Sequence, residues 1–317
     1  MKEHKSIKKT MKKDSKKISA VKKAKLKIMG KVFKYTVGFF HEKGFTQLMP
    51  LMLGKSVDPL GPDPGSSVEK IPEIKYQGAI YRLVTSMILH KQVAMKEFEK
   101  IFVMSPNIRL ERAERGLSGK HLFEFTQADF EIRSAKMDEV FKLLEEYYVG
   151  LSSFLEKEAH DEFELLEIKP FKFVVPFKRF TTYELEDKFG SDWELKKSLE
   201  EKQPFWVISH KREFYDKEDE KKPGTYLNYD LVYPLGFCEG ISGAEREHEY
   251  GRIIKRIKRD KLPLKSYESY LKMAKKGFFP SAGAGIGMER LTRFLTLSKH
   301  VGDVQMFRRV PGEKVDI

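Results

Sequence analysis

A chain of 317 residues with 40% hydrophobic content is long enough to bury one large core or two modest ones. Its formal net charge of +13 suggests a nucleic-acid binder, but residues 1–27 hold twelve lysines against Glu3 and Asp14, so nearly all of the excess sits in a tail. No apolar run is long enough to cross a bilayer and no signal-type segment follows the start, so the chain reads as cytoplasmic; the single cysteine, Cys238, excludes an internal disulfide and a multi-thiolate metal site.

Residues 1–25 have too little apolar content to fold alone and read as a disordered basic tail, or a fraying helix, ahead of a domain over residues 26–317. From Ala24 to Lys43, Ile28, Val32, Phe33, Val37 and Phe40 recur at helical spacing, and Gly44 suits the position past the helix end. An extended run with Pro50 follows. Residues 54–72 are rich in Gly and Pro and predict a loop, long enough to be a flap over a site. Tyr76–Thr85 predicts a strand, and Ser86 caps a helix through Met87, Leu89, Val93 and Phe98.

Between Ile101 and Arg133, two alternating runs flank a charged segment, Glu114 to Lys120, which predicts two antiparallel strands. Because side chains alternate faces along a strand, Phe102, Ile108, Leu110, Leu122, Phe130 and Ile132 fall on a side that helices can cover. The other side gathers Asn107, Arg109 and Glu111 with Phe123, Phe125, Gln127, Asp129 and Glu131. A row of this kind is ordinarily a solvated face with cross-strand ion pairs; the order of its residues points instead to a site. Met137 to Phe154 predicts an amphipathic helix suited to the apolar back of the sheet. Pro204–Ile208 and Leu227–Pro234 predict further strands on either side of a charged insertion. Asp230 and the string Glu239-Gly-Ile-Ser-Gly-Ala-Glu-Arg246 follow, then a basic helix over 245–258, and finally Gly283, Gly285 and Gly287 running into Met288-Glu-Arg290-Leu. Glycines there permit close backbone approach.

Arg109-x-Glu111, a polar loop and His121-Leu-Phe-Glu-Phe-Thr-Gln-Ala-Asp129 resemble the second signature motif of the class II aminoacyl-tRNA synthetases, in the form of the aspartyl and asparaginyl enzymes. The helix and proline-containing run before residue 53 resemble the first motif, and Gly-x-Gly-x-Gly-x-Glu-Arg290 the third; the three occur in family order. The resemblance implies an α+β fold built on an antiparallel sheet flanked by helices, and a homodimer through the first-motif region. It further implies that Arg109 and Arg290 are catalytic and bind ATP together with Glu111, His121, Phe125 and Glu239. His121 would face the outer phosphates and Phe125 would stack on adenine. Ser86, Lys91, Gln127, Asp129 and Arg246 would hold the amino acid, Lys91 by analogy with a Ser-Pro-Gln-Leu-Tyr-Lys segment in which Ile88 here replaces the glutamine. Asp230, Glu239 and Ser242 would bind the Mg²⁺ of ATP. Arg212-Glu-Phe-Tyr215 resembles a Lys-Pro-Phe-Tyr element and reads as wall.

A pocket holding both Lys91 and Arg246 suits a side-chain carboxylate, since an amide would leave two buried cations unmatched; the expected substrate is therefore aspartate. The family's anticodon-binding barrel is not seen ahead of the first motif, and the folded part carries a net charge of only +3. The expectation is an ammonia-dependent asparagine synthetase, in which ammonia attacks an aspartyl-adenylate to give asparagine, AMP and pyrophosphate. The rivals are an aspartate or asparagine–tRNA ligase, or a protein-aminoacylating one, that docks its acceptor through the basic tail, and a catalytically silent binding module.

Overall fold

The computed structural model describes residues 2–60, 68–210 and 213–314. Arg212 and the central part of the expected flap, residues 61–67, lie outside them. Helix α1 spans Lys2–Glu42 and is therefore continuous across residue 25, where the sequence suggests a boundary. Lysine is a good helix former, so the basic segment extends the helix without supplying an apolar stripe of its own. Gly44, at φ 77°, then turns the chain, as its position past the helix end predicts.

Strands β1 (Thr46–Gln47) and β2 (Leu53–Gly54) are short pieces of the extended run. They are followed by β3 (Val68–Lys70), β4 (Glu73–Tyr76) and β5 (Ala79–Leu83). The single strand expected over 76–85 is instead a hairpin: Gln77 and Gly78 both take positive φ, 48° and 72°, and form a two-residue turn between β4 and β5. Helix α2 (Ile88–Ala94) opens with the Ser86 hydroxyl accepting from the Ile88 amide at 3.3 Å and stops four residues short of Phe98.

The predicted central hairpin is present as β6 (Lys100–Ile108), with β7 (Leu110–Glu111) at its tip, and β8 (Glu124–Arg133). Phe102 faces Phe130, Val103 faces Asp129 and Asn107 faces Phe125 across it, which preserves the division into two faces. Helices α3 (Met137–Glu158) and α4 (His160–Leu165) follow, then β9 (Lys178–Thr181), α5 (Thr182–Phe189), α6 (Trp193–Glu200), β10 (Phe205–Ile208), β11 (Asn228–Tyr233) and β12 (Cys238–Glu245). The chain closes with α7 (Tyr250–Arg259), α8 (Glu268–Lys275), β13 (Ser281–Gly287) and α9 (Met288–Leu295).

Eight strands form one sheet in the order β1-β6-β8-β13-β12-β11-β10-β9, antiparallel except for the β1–β6 and β9–β10 pairs at its edges. This is the α+β architecture that the sequence resemblance implies. Helices α1, α3 and α9 bury their apolar stripes against one face. Phe40 stacks on Phe102 at 5.1 Å, Phe141 on Trp206 at 4.0 Å and Tyr233 on Phe294 at 4.7 Å, all buried. Burying side chains of this size contributes about 2–3 kcal/mol each, which fixes that face and leaves the opposite one to polar groups. The polar groups that do enter the core are paired, as where the Thr36 and Tyr147 hydroxyls meet at 2.7 Å. On the polar side, α7 and α8 pack with Phe214 and Tyr215 into a second apolar cluster that walls one flank of the sheet. No described helix is long and apolar enough to cross a membrane.

Candidate active site

The polar face of the sheet floors a cleft of about 1050 Å³. Ser86, Lys91, Arg109, Glu111, His121, Gln127, Asp129, Asp230, Glu239, Ser242, Arg246 and Arg290 all line it. Phe125 lines a narrower recess that shares Arg109, Glu111, His121, Gln127, Glu239 and Arg290 with the cleft, so every residue singled out from the sequence comes to one place. These residues lie up to 204 positions apart in the chain and meet because β6, β8, β13, β12 and β11 are consecutive in the sheet.

At one end lies a buried ionic cluster. The Lys91 ammonium donates to Asp129 Oδ1 at 2.8 Å, to the Phe130 carbonyl at 3.2 Å and to the Ala284 carbonyl at 3.4 Å, with Glu131 at 3.7 Å. Arg246 Nε donates to Glu131 Oε1 at 3.1 Å, its Nη2 to the Gly283 carbonyl at 3.0 Å, and its Nη1 lies 3.5 Å from Asp216. Burial pulls the Arg246 guanidinium down, but Glu131 and Asp216 outweigh it and hold the group above its ordinary pKa. Ser281 Oγ completes the cluster by donating to Glu131 at 2.9 Å. Two cations are thus matched by three carboxylates. This corrects the expectation that Lys91 and Arg246 offer unmatched charge to a substrate carboxylate: Asp129, Glu131 and Asp216 already match them.

The glycines of β13 make the floor possible. A Cβ at Gly285 would stand 2.9 Å from Gln127 Nε2, closer than real Cβ contacts come, and 3.0 Å from Asp129 Oδ1, tighter than most of them. Gln127 is itself held by Asn107, whose amide donates to it at 2.7 Å.

At the other end, Arg109 Nε donates to the Thr85 carbonyl at 3.2 Å, and its guanidinium sits 5.2 Å above the Phe125 ring. Arg290 donates through Nε to the Lys120 carbonyl at 3.2 Å and through Nη1 to the Glu239 carbonyl at 3.1 Å, and it forms an ion pair with the Glu239 carboxylate at 3.2 Å. Although burial opposes its charge, Glu239 and Glu194 raise its pKa. His121 lies between these cations. Burial first, then Arg290, Arg115 and Lys120, push its pKa down to about 2. The ring is therefore neutral: Nε2 accepts from Arg115 Nη2 at 2.9 Å, so Nδ1 carries the proton and donates to Ser118 Oγ at 2.5 Å. His121 is thus a neutral ring clamped on both sides by Arg115 and Ser118.

Asp230 and Ser242 face each other across β11 and β12, and Glu239 follows at a bulge opposite Val232. Asp230 Oδ2 is 3.3 Å from His210 Nε2. The described residues contain no group of three His, Cys, Asp or Glu side chains able to hold a metal unaided. Two carboxylates and a hydroxyl form a partial oxygen set, of the kind magnesium completes with phosphate and water.

Sequence reasoning missed Arg115, Asp216, His210 and Glu194. Arg115 lay in the segment read as a loop, and Asp216 directly follows the element read as wall. Glu194 accepts from the Glu239 amide at 2.7 Å and pairs with Lys120 at 2.8 Å from a helix whose pattern signals only an exposed surface.

A family model described as tRNA synthetases class II (D, K and N) matches residues 10–311. The chain is 30% identical over 261 residues to the asparagine–tRNA ligase of Pyrococcus abyssi, covering 76% of this chain and 59% of that one. It is also 30% identical over 260 residues to the asparagine–tRNA ligase of Thermococcus kodakarensis, covering 76% and 60%. The chain therefore spans about three fifths of the length of these relatives. Among solved structures, asparaginyl-tRNA synthetase from Pyrococcus horikoshii complexed with asparaginyl-adenylate matches with a TM-score of 0.78 at 24% identity, covering 94% of this chain and 70% of that one. The Entamoeba histolytica asparaginyl-tRNA synthetase in complex with asparaginyl-adenylate also matches at 0.78, at 20% identity over 90% and 66%. These two likenesses speak for the fold. The curated relatives are named for joining asparagine to tRNA, which overturns the expectation of an ammonia-dependent asparagine synthetase.

Proposed function

This chain belongs to the class II tRNA synthetases (D, K and N), and on that premise we propose that it activates asparagine with ATP and passes the aminoacyl group to tRNA. The reading is carried by one juxtaposition: Arg109 and Arg290 open onto the same cleft as the Lys91–Asp129–Glu131–Arg246 cluster. Adenylate formation brings two anions together, the α-carboxylate and the α-phosphate, and fixed guanidinium groups offset their repulsion and the charge that develops at phosphorus. Arg109 would act there, with Arg290 toward the outer phosphates. Phe125 offers its ring to adenine and Glu111 its carboxylate to the base or to the group that clamps it.

Asp129 supports the placement of the amino acid. Its Oδ1 is taken by Lys91, while its Oδ2 is buried with no hydrogen-bond partner among the described residues, which suits a substrate ammonium beside Gln127 and Ser86. With Lys91 and Arg246 already neutralised, a second carboxylate on the side chain would meet surplus negative charge, so an amide is favoured. Magnesium, which this family uses with ATP, would be held by Asp230, Glu239 and Ser242 and would draw charge from phosphate oxygens. A second copy of the chain is the expected partner of the segment around Met49, which is 85% exposed, and of the neighbouring Leu51, Met52, Ile74 and Tyr76. A cytoplasmic setting fits this reading.

Pyrophosphate exchange with asparagine or aspartate as the sole amino acid tests this reading. Asparagine-dependent exchange is expected, together with acid-precipitable asparagine on tRNA. Arg109→Ala is expected to lose about 3 kcal/mol of transition-state stabilisation, so its exchange falls by two orders of magnitude. Exchange with aspartate alone would overturn the choice of amino acid, and an unimpaired Arg109→Ala would overturn the site.

A further inference from the structure

Charge is unevenly distributed beyond the N-terminal tail. Residues 250–265 hold seven Lys and Arg against Asp260 alone, whereas outside this stretch and residues 1–27 the chain has 41 Lys and Arg against 44 Asp and Glu. Helix α7 supplies most of these cations, and its two sides differ. Ile253, Arg256 and Ile257 are buried, with Arg256 paired to Glu218 and Glu247. The outer ridge carries Arg252, Lys255, Lys258 and Arg259 and leads directly to Lys261. Arg252 pairs with Glu220 and Glu249, and Arg259 with Asp260, but Lys255, Lys258 and Lys261 are exposed and have no ion pair among the described residues.

Two further observations give the ridge a direction. Arg259, Asp260 and Lys261 line the mouth of the cleft, so the basic surface is continuous with the site. Deeper in, the acids Asp58, Glu213, Asp216 and Asp230 share the cleft lining with Lys91, Arg109, Arg246 and Arg290, so the interior is of mixed charge and the excess of positive charge lies on the ridge outside it. The negative end of the helix dipole favours cations in the last turn, which accounts for Lys258 and Arg259. It asks for neither Lys255, a turn earlier, nor Lys261 and Lys265, beyond the helix.

We infer that the outer ridge of α7, from Lys255 through Lys258 to Lys261, is the track along which the 3′ strand of a tRNA acceptor arm reaches the cleft. The inference rests on the tRNA-acceptor reading above. A helix of ten residues is about 15 Å long, enough to hold several successive backbone phosphates while the terminal ribose hydroxyl enters the cleft. Recognition is by phosphate charge, with no base reading required.

The test is equilibrium binding of total Pyrococcus abyssi tRNA to the full chain across a salt series, with pyrophosphate exchange measured alongside. The variants are Lys255→Glu/Lys258→Glu and, as a control on the opposite side of the sheet, Lys142→Glu/Lys157→Glu in α3. The ridge variant is expected to bind about tenfold or more weakly, with a log–log salt slope shallower by about 2, one for each phosphate-contacting lysine removed. Its exchange activity and the tRNA affinity of the control should match wild type. Unchanged binding by the ridge variant, or an equal loss in the control, would overturn the track and leave the tRNA-ligase reading standing. Absence of tRNA binding by the wild type would overturn both, and exchange would then show whether adenylate formation survives.

Discussion

The Lys91 ammonium and the Asp129 carboxylate meet at 2.8 Å with side chains only 2% and 3% exposed, so the floor of the cleft is an ion pair sealed from water. Removing one member of such a pair leaves the other charge buried without its partner. Lys91→Met is expected to lower stability by about 3–5 kcal/mol, read as a shift in the urea midpoint. Asp129→Asn should raise the KM for the amino acid far more than the KM for ATP. An equal rise in both would remove Asp129 from the ammonium position.

Arg115, held by neutral His121, is expected to supply a second cation at the outer phosphates beside Arg290. Arg115→Ala should raise the KM for ATP about tenfold or more, in line with loss of a charge-assisted hydrogen bond of about 1.5–3 kcal/mol, and leave the amino acid KM near wild type. Because the folded-state pKa of His121 is down to about 2, the unfolded chain takes up a proton below about pH 6.5 that the native chain does not. This residue therefore makes stability fall as pH decreases through that window. His121→Gln should flatten the dependence, as measured by urea midpoints at pH 7 and pH 5. A slope unchanged by the substitution would mean that the ring titrates normally.

Glu289 acts in the opposite sense. Burial raises its carboxyl pKa to about 7, against the pull of the Thr126 amide, which donates to its two oxygens at 3.1 and 3.0 Å. Between about pH 4.5 and 7 the native chain retains a proton that the unfolded chain has lost, so this group's contribution to stability declines as pH rises across that range. The stability difference between wild type and Glu289→Gln should change between pH 5 and pH 8, and a constant difference would contradict the assignment.

Gly285 is the position where a single methyl group should matter. Gly285→Ala pushes Gln127 and Asp129 apart, and overpacking of this kind costs about 1–3 kcal/mol. Pyrophosphate exchange should fall while the sheet stays folded by circular dichroism. Retention of full activity would show that the floor yields more easily than the 2.9 Å approach implies.

Much of this site was legible in the chain because strand periodicity is strict. Once Phe102 and Phe130 face the helices, Arg109, Gln127 and Asp129 must face the other way, and the register keeps that parity. The glycines of β13 were legible for a similar reason, since a strand face made of Gly283, Gly285 and Gly287 leaves room for its neighbours' polar groups. Charge balance was not legible. Nothing local to Lys91 or Arg246 announces that Glu131 and Asp216 lie within reach, since those contacts depend on β8, β13 and the segment before β11 converging. The protonation of His121 was hidden likewise, because it follows from burial and from three cations, two of them within six residues along the chain. The hairpin at Gln77–Gly78 was missed because glutamine seldom signals a left-handed turn.

Strand β3 pairs with β7, Val68 opposite Glu111 and Lys70 opposite Leu110, so β3 docks on the residues adjoining Arg109. The backbone beside Arg109 is therefore tied to β3 as well as to the sheet. A substitution that loosens the pairing of Val68 or Lys70 would be felt at Glu111 and Leu110 even though neither β3 residue lines the cleft.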